Sequence, residues 1–187
     1  MLSTVVLPIA ARTFSTHPEA NSSILPSRYL TLFIRAGDKY KEAPLHSLQE
    51  YWPLVLNLIY LHRIRDVYLS TDSAEVLSTS LSFISSRHPD IRVYYIDYQR
   101  LREGLTIEIL RGKIASQSQV RELINVILTD LFIAAHASGW VGTLSSNWCR
   151  IHDEFRSGNG RFGIPYLSLD GHWIGTEPVD EYGRRKK

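Results

Sequence analysis

The chain has 187 residues, 44% hydrophobic and 21% charged, with a formal net charge of +2. That is enough apolar material for one domain with a buried core, and the even charge balance excludes a nucleic-acid binder with a clustered basic face. Cys149, the single cysteine, rules out an internal disulfide and cannot build a zinc site. The best apolar stretch, residues 54–61, is far below the roughly 20 residues a membrane span needs.

Residues 1–28 are rich in Ser, Thr, Pro and Ala and read as a poorly ordered N-terminal arm. The arm carries a sequon, Asn21-Ser22-Ser23, and an apolar start that lacks the basic region of a signal peptide. Regular structure is expected over 29–176, with a basic tail at 177–187 ending Arg184-Arg185-Lys186-Lys187. "YLTLFIRA" from Tyr29 is β-prone and apolar, as a buried parallel strand is. "HSLQEYWPLVLNLIYLHRI" predicts a helix, with Ser47 and Glu50 spaced as a capping box. Pro53 inside it either kinks the helix or moves its first turn to Trp52.

"DVYLSTD" predicts the second strand, "SAEVLSTSLSFISSRH" a helix stopped by His88-Pro89, and "IRVYYID" the third strand. Residues 98–117 lack a period and read as a long connection. "SQVRELINVILTDLFIAAHAS" is the clearest helix: Val120, Leu123, Ile124, Ile127, Leu128 and Leu131 recur at helical spacing, and Gly139 is read as its end. "WVGTL" predicts a fourth strand. "SSNWCRIHDEF" predicts a helix opened by Ser145 or Ser146 and stopped near Gly158, and "PYLSLDG" a short last strand. This alternation predicts an α/β fold: a Rossmann-like parallel sheet with helices on both faces.

Ligands of open α/β sheets sit outside the carboxyl ends of the strands. Three polar clusters fall there: Arg35 to Lys39, Thr71-Asp72-Ser73, and Ser145-Ser146-Asn147. Arg35 suits bidentate phosphate binding or a surface salt bridge. Ser145, Ser146 and Asn147 suit plain capping or an anion at a helix start, and the two are compatible. Lys39 and Glu42 suit a poised base or an ordinary surface pair. Asp130, inside an apolar helix, needs a partner and so either caps a neighbouring loop or reads a ligand. His152-Asp153-Glu154 reads as an ordinary helix face, and Cys149 as a packed thiol. No G-x-G-x-x-G, P-loop, H-E-x-x-H or G-x-S-x-G occurs.

In order along the chain, "FIRAGDKYKEAPLHSLQEYW", "DVYLSTDSAEVL" and "ILTDLFIAAHASGWVGTLSSNWCRIHDEF" resemble the nucleotide-binding C-terminal half of the α-1,6-fucosyltransferase family, whose members act on N-glycan cores and Nod factors. The resemblance spans roughly residues 29–156. It implies one lobe of a GT-B glycosyltransferase that takes a GDP-sugar, GDP-fucose, and passes the sugar to a glycan hydroxyl with inversion. It further implies no metal cofactor and residence in the Golgi or secretory pathway; the single cysteine and the lack of an anchor or clear signal in these residues point instead to a soluble or cytoplasmic chain. Residue by residue, Arg35 matches an arginine that grips the diphosphate. Lys39 and Glu42 match a Lys/Glu pair whose glutamate is the base, with one residue fewer before Glu42. Asp72 matches an aspartate after the second strand, Asp130 the aspartate that binds guanine, and Ser146 a phosphate-contacting serine.

Three departures stand out. Phe33 replaces a histidine of the animal enzymes that touches guanine, Ala36 a second arginine, and Asn147 a glutamine. The family's first lobe has no counterpart in these residues, so acceptor binding is expected to suffer most. A non-catalytic nucleotide-sugar or partner-binding module, or a piece of a longer product, is the alternative.

Overall fold

The computed structural model describes residues 14–16, 25–36, 45–98, 100, 117–160, 165–170, 173–174 and 177–178. Its strands are β1 (Phe14–Thr16), β2 (Leu30–Ile34), β3 (Asp66–Thr71), β4 (Arg92–Ile96), β5 (Gly139–Gly142), β6 (Tyr166–Ser168), β7 (Trp173–Ile174) and β8 (Glu177–Pro178). Its helices are α1 (Leu48–His62), α2 (Ala74–Arg87), α3 (Gln117–His136) and α4 (Asn147–Gly158). Six strands form one sheet in the order β1-β4-β3-β2-β5-β6, and β7 and β8 pair separately.

Strands β4, β3, β2, β5 and β6 are all parallel; β1 runs antiparallel along β4. The chain builds outward from β2 through β3 to β4. After α3 it returns to the other side of β2 and adds β5, then β6. The topological switch therefore lies between β2 and β5, where the carboxyl ends of a doubly wound sheet open a crevice. This is the Rossmann-like α/β layout that the strand and helix alternation predicts.

Side chains alternate across the sheet. Leu30, Leu32, Ile34, Val67, Leu69, Val93 and Val141 face α1 and α2, packing with Tyr51, Trp52, Val55, Leu58 and Ile84. On the opposite face Tyr68, Tyr94 and Ile96 meet Ile133 and Ala137 of the α3 region, and Phe33 and Trp140 meet Cys149 of α4. Burial of this kind stabilises by about 25 cal/mol per Å² of apolar surface removed from water.

Helix α1 starts where its capping box places it: the Ser47 backbone N–H donates to Glu50 Oε2 at 2.6 Å, as does the Ser47 hydroxyl at 2.9 Å. The His46 ring and the two Ser47 groups hold the Glu50 carboxyl down at about 2. Pro53 lies within α1 and is exposed; the helix runs through it, so the first turn is at Leu48 and not at Trp52.

Two expectations are corrected. Gly139 does not end α3; that helix stops at His136, and Gly139 opens β5. A Cβ there would lie 2.8 Å from Leu30 Cδ2 and 3.3 Å from Leu58 Cδ1, so glycine is required by close packing rather than by a turn. In α3 the period is right, with Leu131 buried and Val120, Leu123 and Ile127 half-buried, but part of the stripe stays in solvent. Ile124 and Leu128 stand 49% and 46% exposed, while Thr129, Leu131, Ile133, Ala134 and Ala135 go inside. Between those two exposed positions Val126 packs against the Tyr68–Tyr94 cluster of the sheet. Strand β1 adds an edge strand within the stretch read as an arm, and β8 falls within the stretch read as tail.

Candidate functional site

The carboxyl ends of β2 and β3 are tied by one ion pair. Arg35 Nη1 donates to Asp72 Oδ2 at 2.6 Å, and the Ala36 backbone N–H donates to Asp72 Oδ1 at 3.0 Å. Asp72 thus fixes where the chain leaves β2. Lys39 and Glu42, which follow in the same loop, lie outside the described residues.

Asp130 projects from α3 toward β3. Its carboxylate accepts from Tyr68 Oη at 2.6 Å, Ser70 Oγ at 2.8 Å and Trp148 Nε1 of α4 at 3.4 Å. Tyr68 and Ser70 are two residues apart on one strand, so both hydroxyls point to the same face. Those bonds meet the cost of a half-buried carboxylate inside an apolar helix. The Tyr68 phenol is pushed far up, first by its complete burial and then by the charge of Asp130.

Beyond β4 two side chains enter the rim that the aperiodic stretch after Ile96 gave no reason to expect. Arg100 donates to the carbonyls of Thr71 at 3.1 Å, Ile96 at 3.0 Å and Tyr98 at 3.4 Å, and its guanidinium lies 4.4 Å from the Tyr98 ring centroid. It ties the end of β3 to the chain that leaves β4. Burial pushes the Tyr98 phenol up to about 12, against the pull of Arg100 and Arg35, with Asp130 and Asp72 adding to the rise. Arg35 on Asp72, Arg100 on the Thr71 carbonyl and Asp130 on Ser70 gather these four charges at the end of β3.

The start of α4 lies across the switch point. Ser146 is its N-cap, with φ −80° and ψ 124°, but its side chain makes no cap bond and the residue is only 2% exposed. Ser145 and Asn147 are exposed, and Arg150 donates to Asn147 Oδ1. The turn before the N-cap already holds an anion, the Asp170 carboxylate. It accepts from the backbone N–H groups of Leu144 at 2.8 Å and Ser145 at 3.1 Å, and from Ser168 Oγ at 2.9 Å. Partial burial opposes its ionisation, but the Ser145, Ser168 and backbone hydrogen bonds win and keep its pKa below the ordinary value. Its position two residues past a short strand carried no signal of this role.

Three α4 side chains are buried: Cys149, His152 and Arg156. Cys149 is wholly buried and its thiol is pushed up to about 12 by burial, so it is packed and not a neutral-pH nucleophile. The expected ordinary helix face at His152-Asp153-Glu154 is corrected: Glu154 is exposed, but His152 is 0% exposed. The imidazole lies edge-on to Phe33 at 5.7 Å and 5.2 Å from the Trp148 ring, and neither of its nitrogens has a hydrogen-bond partner among the described residues. Burial lowers its pKa to about 4, with Asp130 opposing and Arg156 assisting.

The structure thus brings Arg35, Asp72 and Asp130 to one rim and ties Asp130 to α4 through Trp148. It turns Ser146 away from solvent and leaves Ser145 and Asn147 at the helix mouth. Among the described residues no three His, Cys, Asp or Glu side chains gather as a metal site would require, and no helix is long and apolar enough to cross a membrane.

No family model and no curated protein matches this chain. Among solved structures, a crystal structure of POFUT1 in complex with GDP is similar, with a TM-score of 0.47 and 12% sequence identity over 77% of this chain. The match spans 42% of that chain, so this protein corresponds to less than half of it.

Proposed function

We propose that the rim binds a GDP-sugar, with GDP-fucose as donor, and that the chain is the nucleotide-binding half of an inverting glycosyltransferase. The observation that carries this reading is the convergence of Arg35, Asp72 and Asp130 at the carboxyl ends of β2 and β3, beside the switch point that the start of α4 overlooks. Arg35 supplies a fixed cation for the diphosphate, and the amides and positive end of α4 supply a second anion contact. Asp130 accepts from the N–H edge of the guanine; its three bonds among the described residues leave one lone-pair position of a carboxylate's four.

In the transfer step the acceptor oxygen bonds to the anomeric carbon as the carbon–phosphate oxygen bond breaks. Glu42 takes the acceptor proton, Lys39 stabilises the ionised glutamate, and GDP leaves with the bond's electron pair. Arg35 and the α4 start stabilise that leaving charge; losing one such contact costs about 2–4 kcal/mol of barrier.

A thermal-shift panel of GDP, GDP-fucose, GDP-mannose, UDP and ADP tests the donor. A ligand at a hundred times its dissociation constant adds about 2.7 kcal/mol to stability. Guanine nucleotides should raise the melting temperature and UDP should not; equal shifts across the panel would remove the guanine assignment. Arg35→Ala should abolish GDP binding in calorimetry. Glu42→Gln should keep GDP binding and lose turnover.

One observation favours a second reading, a module that binds without transferring. Asp72 already neutralises Arg35, and Asp170 already occupies two amides at the α4 turn, so the rim offers a diphosphate less positive charge than its residues suggest. Binding of GDP-fucose with neither hydrolysis nor transfer, acceptor present, selects this reading.

A further inference from the structure

A buried polar atom without a partner loses its water and gains nothing in exchange, so native structures hold few of them and each asks for a reason. Among the described residues His152 has two such atoms, at 0% exposure, on a helix whose start faces the rim. Its ring is walled by Phe33 and Trp148. The same Trp148 indole reaches Asp130, so the imidazole and the carboxylate lie under one cover. That cover is the weakest of the carboxylate's three attachments: 3.4 Å, against 2.6 Å and 2.8 Å for Tyr68 and Ser70. Trp148 is only partly buried, so turning it out gives up that long bond and its packing on the Phe33–Trp140 cluster.

With the indole turned out, the pair presents an acceptor beside a donor. The Asp130 carboxylate takes an N–H, and the neutral imidazole gives its N–H to a neighbouring carbonyl. The lactam edge of a purine has this order, a ring N–H next to C=O. Adenine offers a bare ring nitrogen next to an amino group, which sets acceptor against acceptor and donor against donor.

We infer that His152 is a specificity residue for the nucleotide base, donating to the lactam carbonyl beside Asp130 once Trp148 has turned aside; this rests on the GDP-sugar reading of the rim. Calorimetry on the full chain at pH 7.5 tests it, with GDP, IDP and ADP against the wild type, His152→Phe and His152→Gln. IDP keeps the lactam and lacks the 2-amino group. The wild type should prefer GDP and IDP to ADP.

His152→Phe should weaken both lactam nucleotides about tenfold and leave ADP unchanged, as loss of one buried hydrogen bond does. Its melting temperature should hold or rise, because an apolar ring replaces unpartnered polar atoms. His152→Gln, which keeps an N–H donor, should recover part of the loss. GDP should change tryptophan emission in the wild type and not in Trp148→Phe; identical responses would overturn the uncovering step. If His152→Phe binds GDP as tightly as wild type with the same preference over ADP, the inference fails and the rim reading stands. If the wild type binds no GDP, the rim reading fails and takes the inference with it.

Discussion

His152 sets a pH dependence that the sequence did not announce. In the unfolded chain a histidine titrates near 6.5, and here burial lowers it to about 4, with Phe33 and Trp148 around the ring and Asp130 and Arg156 as the charges acting on it. The unfolded state binds the proton more readily, so stability is full above pH 6.5 and falls as the pH drops toward 4. The gap amounts to about 3 kcal/mol. Urea midpoints at pH 7.5 and pH 4.5 should differ for the wild type by this contribution and lose most of the difference in His152→Phe. An unchanged slope in that variant would place the titration elsewhere. What made His152 illegible was its company: next to Asp153 and Glu154, it reads as one more solvated position, and only the fold shows that it points at Phe33.

At the scale of elements, two glycines forecast opposite outcomes. A Cβ on Gly142 in β5 would meet the Trp140 indole at 2.8 Å and Cys149 Sγ at 3.2 Å, which jams β5 against α4. Gly142→Ala should destabilise by about 1–3 kcal/mol, the usual cost of overpacking. A Cβ on Gly158, at the end of α4, meets nothing within 4 Å. Gly158→Ala should be neutral or add about 0.5–1 kcal/mol through the stiffer unfolded chain. Melting curves of the two variants separate them.

Element existence was legible because it rests on local signals: the Ser47–Glu50 box, the His88-Pro89 stop, the apolar strands. Which positions of α3 are buried was not, because Ile124 and Leu128 keep the helical period but stay in solvent, while Thr129 between the apolar positions goes inside. Of the candidate site, Arg35, Asp72 and Asp130 were legible from their places at strand ends or in an apolar helix. Tyr98, Arg100 and Asp170 were not, since their roles come from carbonyls and amides of segments far along the chain.

For the molecule as a whole, acid should act in two stages. The His152 contribution goes first, between pH 6.5 and 4. Asp170 follows: a carboxyl with a lowered pKa stabilises above its ordinary value and loses that contribution as the pH falls through the lowered one. Asp170→Asn should lower stability at pH 7 by about 1–2 kcal/mol, by removing a charged acceptor from two backbone amides. It should also flatten the acid limb below pH 4 while leaving the higher limb intact. A titration of unfolding midpoints from pH 7 to pH 3 reads both stages in one series.

The antiparallel pairing of Phe14, Ser15 and Thr16 with Ile96, Tyr95 and Tyr94 has a practical consequence. Those three residues occupy the hydrogen-bonding side of β4 that would otherwise lie bare, with two tyrosines and an isoleucine along it. Removing everything before Leu25 would uncover that side and offer another molecule a ready template, so the shortened protein should aggregate during concentration. Light scattering of the shortened chain and the 187-residue chain at matched concentration decides it, and equal monodispersity would mean that three residues contribute no such protection.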